Sequence, residues 1–237
     1  MANIRRLTAI LAKAPIAGRV KTRLMADYPY PDRIADLAGA FLTDTDAVVS
    51  HPSVTVRPPT EVILCHDGDP TVFPDALRRR RAIPQRGNSL GDRIVSLCAD
   101  VFADGAEQLS IVGSDCPHLP TAFLTEAFGR LSAGAEAVFG PTDDGGYYLV
   151  ALSRPLPVLF EKIPWSTSDV LRTTLETAER EGIRTALLPG WYDIDTGDDL
   201  RRLRTDLRRG VAFAPATAAV LESVFGSFPW QIEKKGT

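Results

Sequence analysis

The hydrophobic pattern alternates between two kinds of segment. Short, largely apolar runs at 7–12, 61–65 and 109–113 end in Gly, Pro or charged residues, as buried strands do. Weaker strand signals fall at 82–85, 137–139, 147–152 and 185–188. Between them, apolar side chains recur every three or four positions. Ile34, Leu37, Ala38, Phe41, Leu42, Thr45, Val48 and Val49 mark one amphipathic helix. Ile94, Leu97, Cys98, Val101 and Phe102 mark a second, and Val170, Leu171, Thr174, Leu175 and Ala178 a third that Gly182 ends. Helices are also predicted over about 121–131 and 198–209. Strands alternating with helices predict an α/β fold, with a mainly parallel sheet covered on both faces.

No composition break divides the 237 residues. The expected organisation is one domain over 1–210, then a C-terminal helix and tail over 211–237, mobile from 228 onward. Charge excludes some partners. With 27 Lys and Arg against 30 Asp and Glu, the net charge of −3 argues against nucleic acid or an anionic membrane. Cys65, Cys98 and Cys116 are odd in number and have no CxxC spacing, so no disulfide framework or zinc site is expected. No secretory signal pattern or run of 18 apolar residues is present, and the expected location is the cytoplasm.

In open α/β sheets ligands bind beyond the carboxyl ends of the strands, and the unusual chemistry of this sequence lies there. After the first strand, Lys13, Arg19, Lys21 and Arg23 surround Gly18. Guanidinium forks and an ammonium beside a flexible glycine suit a polyphosphate; the alternative is a solvated surface loop. The loop lacks the glycines of a Walker A or a G-x-G-x-x-G motif. Asp115 ends the strand at 109–113, and Asp193-Ile194-Asp195-Thr196 follows the last strand. Carboxylates at the mouth of a sheet near a basic loop suit Mg²⁺, which takes one or two of them plus substrate phosphates. Helix capping competes for Asp193 and Asp195, although Asp198 or Asp199 could cap instead. D-x-D-x-[TV], the aspartyl-phosphate phosphatase signature, fails because Gly197 stands at its last position.

Asp144-Gly145-Gly146-Tyr147 reads as a tight turn with room for a substrate, or as a plain hairpin turn. Pro164-Trp165-Ser166-Thr167-Ser168 offers an aromatic and three hydroxyls, as a pocket wall or a cap. Three histidines and no G-x-S-x-G elbow exclude a Ser-His-Asp hydrolase, and Cys116 reads as a buried structural thiol. The cationic run 78–81 reads as a solvated helix end.

Six motifs in order, K-A-P-x-x-G-R-V-K-T-R-L (13–24), Q-x-G-x-x-L-G-x-R (85–93), G-S-D-C-P (113–117), D-G-G-Y-Y-L (144–149), W-S-T (165–167) and D-x-D-T (193–196), resemble the DUF2064 family of GT-A-like transferases over about 7–205. The resemblance implies a GT-A fold, a three-layer αβα sandwich shared with nucleotidyltransferases and nucleotide-sugar glycosyltransferases. It implies a nucleotide held by Ala12, Lys13, Gly18, Arg19, Lys21 and Arg23, with Ser114 beside it and Gln85, Gly87, Leu90 and Gly91 near base and ribose. Asp115 and Asp195 would carry Mg²⁺ or Mn²⁺, and Asp144, Gly145, Gly146, Tyr147, Trp165, Ser166 and Thr167 would face the acceptor. Arg19, Lys21 and Asp115 are the expected catalytic groups. The expected reaction moves a nucleoside monophosphate from a triphosphate to a small phosphorylated or anionic acceptor. A nucleotide-sugar glycosyltransferase is the alternative, and a nucleotide-binding module without turnover a third.

Overall fold

The apolar runs become strands of one sheet. The structure, a computed structural model, describes residues 4–55 and 60–225. Its strands are β1 Arg6–Lys13, β2 Thr60–Asp67, β3 Arg81–Pro84, β4 Gln108–Gly113, β5 Ala137–Pro141, β6 Tyr147–Leu152 and β7 Thr185–Leu187. The helices are α1 Pro31–Val49, α2 Pro52–Thr55, α3 Asp75–Arg78, α4 Leu90–Ala103, α5 Thr121–Ser132, α6 Val170–Arg180, α7 Gly197–Arg208 and α8 Pro215–Phe225. The expected strands and long helices are present. The single-turn helices α2 and α3 were not expected, because four residues are too few to show a period.

Strand order is β3-β2-β1-β4-β6-β5-β7. β1 pairs in parallel with β2 and β4, β2 with β3, and β5 with β7; β6 runs antiparallel to β4 and β5. The alternation along β1 shows how the layers form. Leu7, Ala9 and Leu11 face a cluster that takes in Ile94, Leu97 and Val101 of α4 and Ala178 of α6. Ile10 and Ala12 face the opposite cluster, with Leu42 and Val49 of α1 and Leu124 and Phe128 of α5. Each fully buried side chain of this size stabilises the fold by roughly 1.5–3 kcal/mol over its exposed state.

A third cluster matters most for function. Leu24, Ile34, Leu37, Phe41, Ile194, Leu200, Leu203 and Leu221 pack together. They join the chain after the basic loop to the Asp193–Asp195 segment, through α1, α7 and α8. Buried Asp44 of α1 accepts from the backbone N–H of Ala216 (3.0 Å) and Thr217 (2.7 Å), supplying partners to the first turn of α8.

The cationic run is committed elsewhere. Arg80 holds Asp46 through Nε (2.9 Å) and Nη2 (3.0 Å), Arg81 pairs with Asp104 and Glu61, and Arg78 with Asp75. The tail expected to be mobile, 228–237, lies outside the described residues. Among the described residues, no helix is long and apolar enough to cross a membrane.

Candidate active site

β1 and β4 lie side by side, with β2 and β3 on one flank and β6, β5 and β7 on the other. Such a switch point opens a crevice at the carboxyl ends of the two strands. A cleft of about 760 Å³ lies there. The basic loop after β1 forms one wall, the end of β4 the floor, and the chain around 142–147 and 165–170 the far wall.

Lys21 is the centre of the arrangement. Its backbone is left-handed (φ 48°), which turns the side chain inward against the Phe41 ring, 5.8 Å from its centroid. The ammonium meets Asp115 Oδ1 at 2.7 Å, Asp195 Oδ1 at 2.9 Å and the Ile194 carbonyl at 2.6 Å, so all its donors are used. Burial alone would lower the Lys21 pKa, but the two carboxylates outweigh it and hold the group above its ordinary value. Arg23 reaches Asp195 Oδ2 at 3.3 Å. Arg19 lines the cleft and makes no ion pair with a described residue, while Lys13 and Ala12 line it at the end of β1. Gly18 (φ +74°) shapes the loop from outside the lining.

The capping question resolves in favour of a free Asp195. Thr196 caps α7 and accepts from the Asp199 N–H, and Asp199 Oδ2 accepts in return from the Thr196 N–H at 2.8 Å. Asp195 contributes only its own N–H to that box, at 3.2 Å. Asp193 also lines the cleft; burial, then Asp144, Asp195 and Asp115, push its carboxyl up to about 6.

Gln85 lines the cleft, and its Nε2 donates to the carbonyls of Ala12 and Cys65, both at 3.0 Å, while its Oε1 accepts from Arg93 at 3.0 Å. Its amide straps the ends of β1 and β2 together, and exposed Leu90 also lines the cleft. Gly87 and Gly91 stand behind the lining. Gly91 is needed for close approach: a Cβ there would lie 2.3 Å from the Phe160 carbonyl and 2.9 Å from Trp165 Nε1. Gly91→Ala should therefore cost roughly 1–3 kcal/mol. Urea denaturation of the variant checks this, and an unchanged midpoint would contradict the packing.

The far wall is one unit. The turn between β5 and β6 closes through Gly145 N–H to the Thr142 carbonyl (3.2 Å), and the Leu171 N–H binds the Gly145 carbonyl (2.9 Å). Gly145 has φ +88°, and a Cβ there would sit 2.1 Å from the Ser168 carbonyl. Asp144 Oδ1 accepts from Thr142 Oγ1 (2.5 Å) and the Gly146 N–H (3.0 Å). Asp144, Gly146 and Tyr147 line the cleft with Trp165, Ser166 and Thr167, and Trp165 stands edge-on to Tyr147 at 6.2 Å. The Thr167 hydroxyl is partly committed, donating to the Pro164 carbonyl at 2.7 Å. Ser168, the last residue of the segment expected to be a pocket wall or a cap, lines the same wall, and so does Thr142, which the sequence reading missed. The only signal for Thr142 was its adjacency to the turn that begins at Asp143. Ser114 lines the floor, and its hydroxyl donates to Asp115 Oδ1 at 3.2 Å.

All three cysteines are buried, and burial pushes Cys65 and Cys98 up to about 12 and Cys116 well above the ordinary thiol range. None suits thiolate chemistry. Among the described residues, no three His, Cys, Asp or Glu side chains gather to hold a metal by themselves. Asp115 and Asp195 nonetheless converge on one cation, the Lys21 ammonium, and their hard oxygens are the donor type that Mg²⁺ or Mn²⁺ takes alongside substrate phosphates. The pair fits such an ion if Lys21 yields its place.

Fold and cleft together define the class, a GT-A-like αβα sandwich of the nucleotidyltransferase and nucleotide-sugar transferase type. Residues 52–167 match the model of DUF2064, described as an uncharacterized protein conserved in bacteria; the match takes in the motifs at 85–93, 113–117, 144–149 and 165–167, while those at 13–24 and 193–196 lie outside it. The chain is similar to a candidate nucleotide-diphospho-sugar transferase from Desulfovibrio desulfuricans G20. The two are 28% identical over 95% of this chain and 96% of that one, with a TM-score of 0.79. More distant in sequence is a 4-diphosphocytidyl-2C-methyl-D-erythritol synthase from Anaerococcus prevotii DSM 20548. It is 16% identical, over 88% of this chain and all of that one (100%), with a TM-score of 0.57. CMP:2-keto-3-deoxy-manno-octonic acid synthetase in complex with CTP is 15% identical over 87% of this chain and 99% of that one, with a TM-score of 0.54. The last two show the fold alone. No protein of curated function matches this sequence.

Proposed function

We propose that this protein is a metal-dependent nucleotidyltransferase that moves a nucleoside monophosphate from a nucleoside triphosphate to a small acceptor and releases pyrophosphate. One observation carries the reading: at the switch point a single loop brings Arg19, Lys21 and Arg23 to the cleft, with Asp115 and Asp195 meeting that loop at Lys21. That is the charge layout a metal-bound triphosphate needs. The nucleotidyltransferase folds among the similar structures support it.

In this reading Arg19 and Arg23 bind the β- and γ-phosphates, and Lys21 turns from the carboxylates to the same oxygens. Their charges neutralise the departing pyrophosphate as the bond to the α-phosphorus breaks. Asp115 and Asp195 would hold Mg²⁺ or Mn²⁺, which when bound neutralises phosphate charge and orients the donor. The far wall positions the acceptor oxygen for in-line attack. Gly145 and Ser168, packed against each other, keep that wall rigid. A glycosyltransferase using a nucleotide-sugar is the second reading, favoured by the 28% identity to the Desulfovibrio protein. Three cations on one loop favour a triphosphate donor.

A thermal-shift panel of nucleoside triphosphates and nucleotide-sugars, with Mg²⁺ or with EDTA, tests this. A triphosphate at 100 times its Kd should stabilise the fold by about 2.7 kcal/mol, and only with the metal. Preference for a nucleotide-sugar moves the assignment to glycosyl transfer. No shift with any nucleotide contradicts both readings.

A further inference from the structure

We infer that the acceptor is an uncharged polyhydroxylated molecule of the sugar or polyol class, rather than a phosphorylated one. This rests on the reading of the cleft as a transferase site and deepens it.

The argument is the distribution of charge around the cleft. Among the described residues, every cation in its lining (Lys13, Arg19, Lys21 and Arg23) comes from the end of β1 or the loop after it. The acceptor wall, from Thr142 to Asp193, adds only the carboxylates Asp144 and Asp193. A phosphomonoester there would face two like charges with no cation of that wall to meet it, and like-charge juxtaposition is a strong means of rejecting a partner.

Nearby cations do not repair this. Arg202 is held by Asp143 at 2.7 Å, lies 3.6 Å from the centroid of the Tyr192 ring, and is outside the lining. Arg172 is held by Asp169 and Glu176. The β1-loop cations are needed by the donor, and two of them, Lys21 and Arg23, are already drawn to Asp195.

What the wall does offer suits hydroxyl groups. Ser166 and Ser168 present hydroxyls that both donate and accept, matching the dual character of a polyol, while Thr142 and Thr167, whose protons go to Asp144 and the Pro164 carbonyl, add acceptor oxygens. Trp165 and Tyr147 add aromatic surface for the C–H face of a sugar ring. Asp144 completes the set. Its Oδ1 is committed to Thr142 and Gly146, while its Oδ2 makes no hydrogen bond or ion pair with a described residue. As the acceptor oxygen bonds to the donor's α-phosphorus, the P–O bond to pyrophosphate breaks and the hydroxyl proton passes to Asp144. A phosphate acceptor would need no such base.

The test is direct binding to the full chain by saturation-transfer NMR, with matched pairs: glucose against glucose 6-phosphate, and glycerol against glycerol 3-phosphate. Each is measured alone and with a non-hydrolysable triphosphate plus Mg²⁺. The uncharged member of each pair should bind about tenfold or more tightly than its phosphomonoester. Asp144→Asn keeps an oxygen for the turn but loses the charge, and should narrow that preference severalfold. A preference for either phosphomonoester, or no binding by any uncharged member, overturns the inference. The nucleotide panel is read separately. Its failure sinks the transferase reading, whereas the acceptor pairs measured without nucleotide report only on the wall.

Discussion

Asp115→Ala lowers turnover at least about 10²-fold while the chain keeps its fold, the scale expected when a charge that serves the transition state is removed. The position makes the change clean. Asp115 follows β4 and its side chain is about 45% exposed, so its loss opens no cavity in the core. Lys21→Ala lowers turnover by a similar factor, but the two variants part in how they treat the bare metal. In the ligand-free protein the ammonium occupies the point on which Asp115 and Asp195 converge, so an ion must displace it. Without the lysine, the carboxylates lose their resident cation and Mn²⁺ binds more tightly in the absence of nucleotide. Electron paramagnetic resonance of added Mn²⁺ reads this without relying on activity. Near-wild-type turnover in either variant removes that residue from the site, and unchanged Mn²⁺ affinity in Lys21→Ala removes the competition.

Stability should fall by about 3 kcal/mol between pH 7 and pH 4 because of one side chain, His118. The ring is only 3% exposed and its centroid lies 4.3 Å from that of Tyr192 and 5.3 Å from that of Trp191, with neither nitrogen hydrogen-bonded to a described residue. Burial, opposed by Asp206 and assisted by Arg202, lowers its pKa from 6.5 to about 4. In the unfolded chain His118 takes up a proton near 6.5; in the native state it resists until about 4. The unfolded state therefore binds more protons across that window, and stability is lost as pH falls through it. Other groups also titrate there, so the measurement is a comparison. Urea unfolding of wild type and His118→Phe is followed from pH 7 to pH 4, and the variant should lack this slope. It should also be at least as stable at pH 7, since it removes two unsatisfied buried nitrogens. A parallel decline in both proteins would place the effect elsewhere.

Strands and long helices were legible because their signals are local. The run at 109–113 and the spacing from Ile34 to Val49 each report on a few neighbouring residues and became β4 and α1. The order of strands was not legible, nor was the antiparallel insertion of β6 between β4 and β5, because pairing between distant segments leaves no mark in either alone. The site shows the same division. Chemistry-bearing residues could be chosen by their place after strands, and the cleft gathers most of them. Their commitments could not be read. That Lys21 meets Asp195 across 174 positions, or that the Gln85 amide is spent on two carbonyls, depends on tertiary geometry. That Asp144 and Asp193 line one wall of the cleft, which is what the inference about the acceptor rests on, depends on the fold in the same way.

The contact between Gly91 and the 160–165 segment has a consequence for redesign. In the function proposed above, α4 begins on the donor side of the cleft and Trp165 belongs to the acceptor side, and the missing side chain of Gly91 lets the two approach closely. Acceptor scope cannot be retuned at Trp165 without also moving the first turn of α4. Libraries aimed at new acceptors belong three positions further along the chain, at Ser168, whose backbone packs against Gly145 while its side chain lines the cleft.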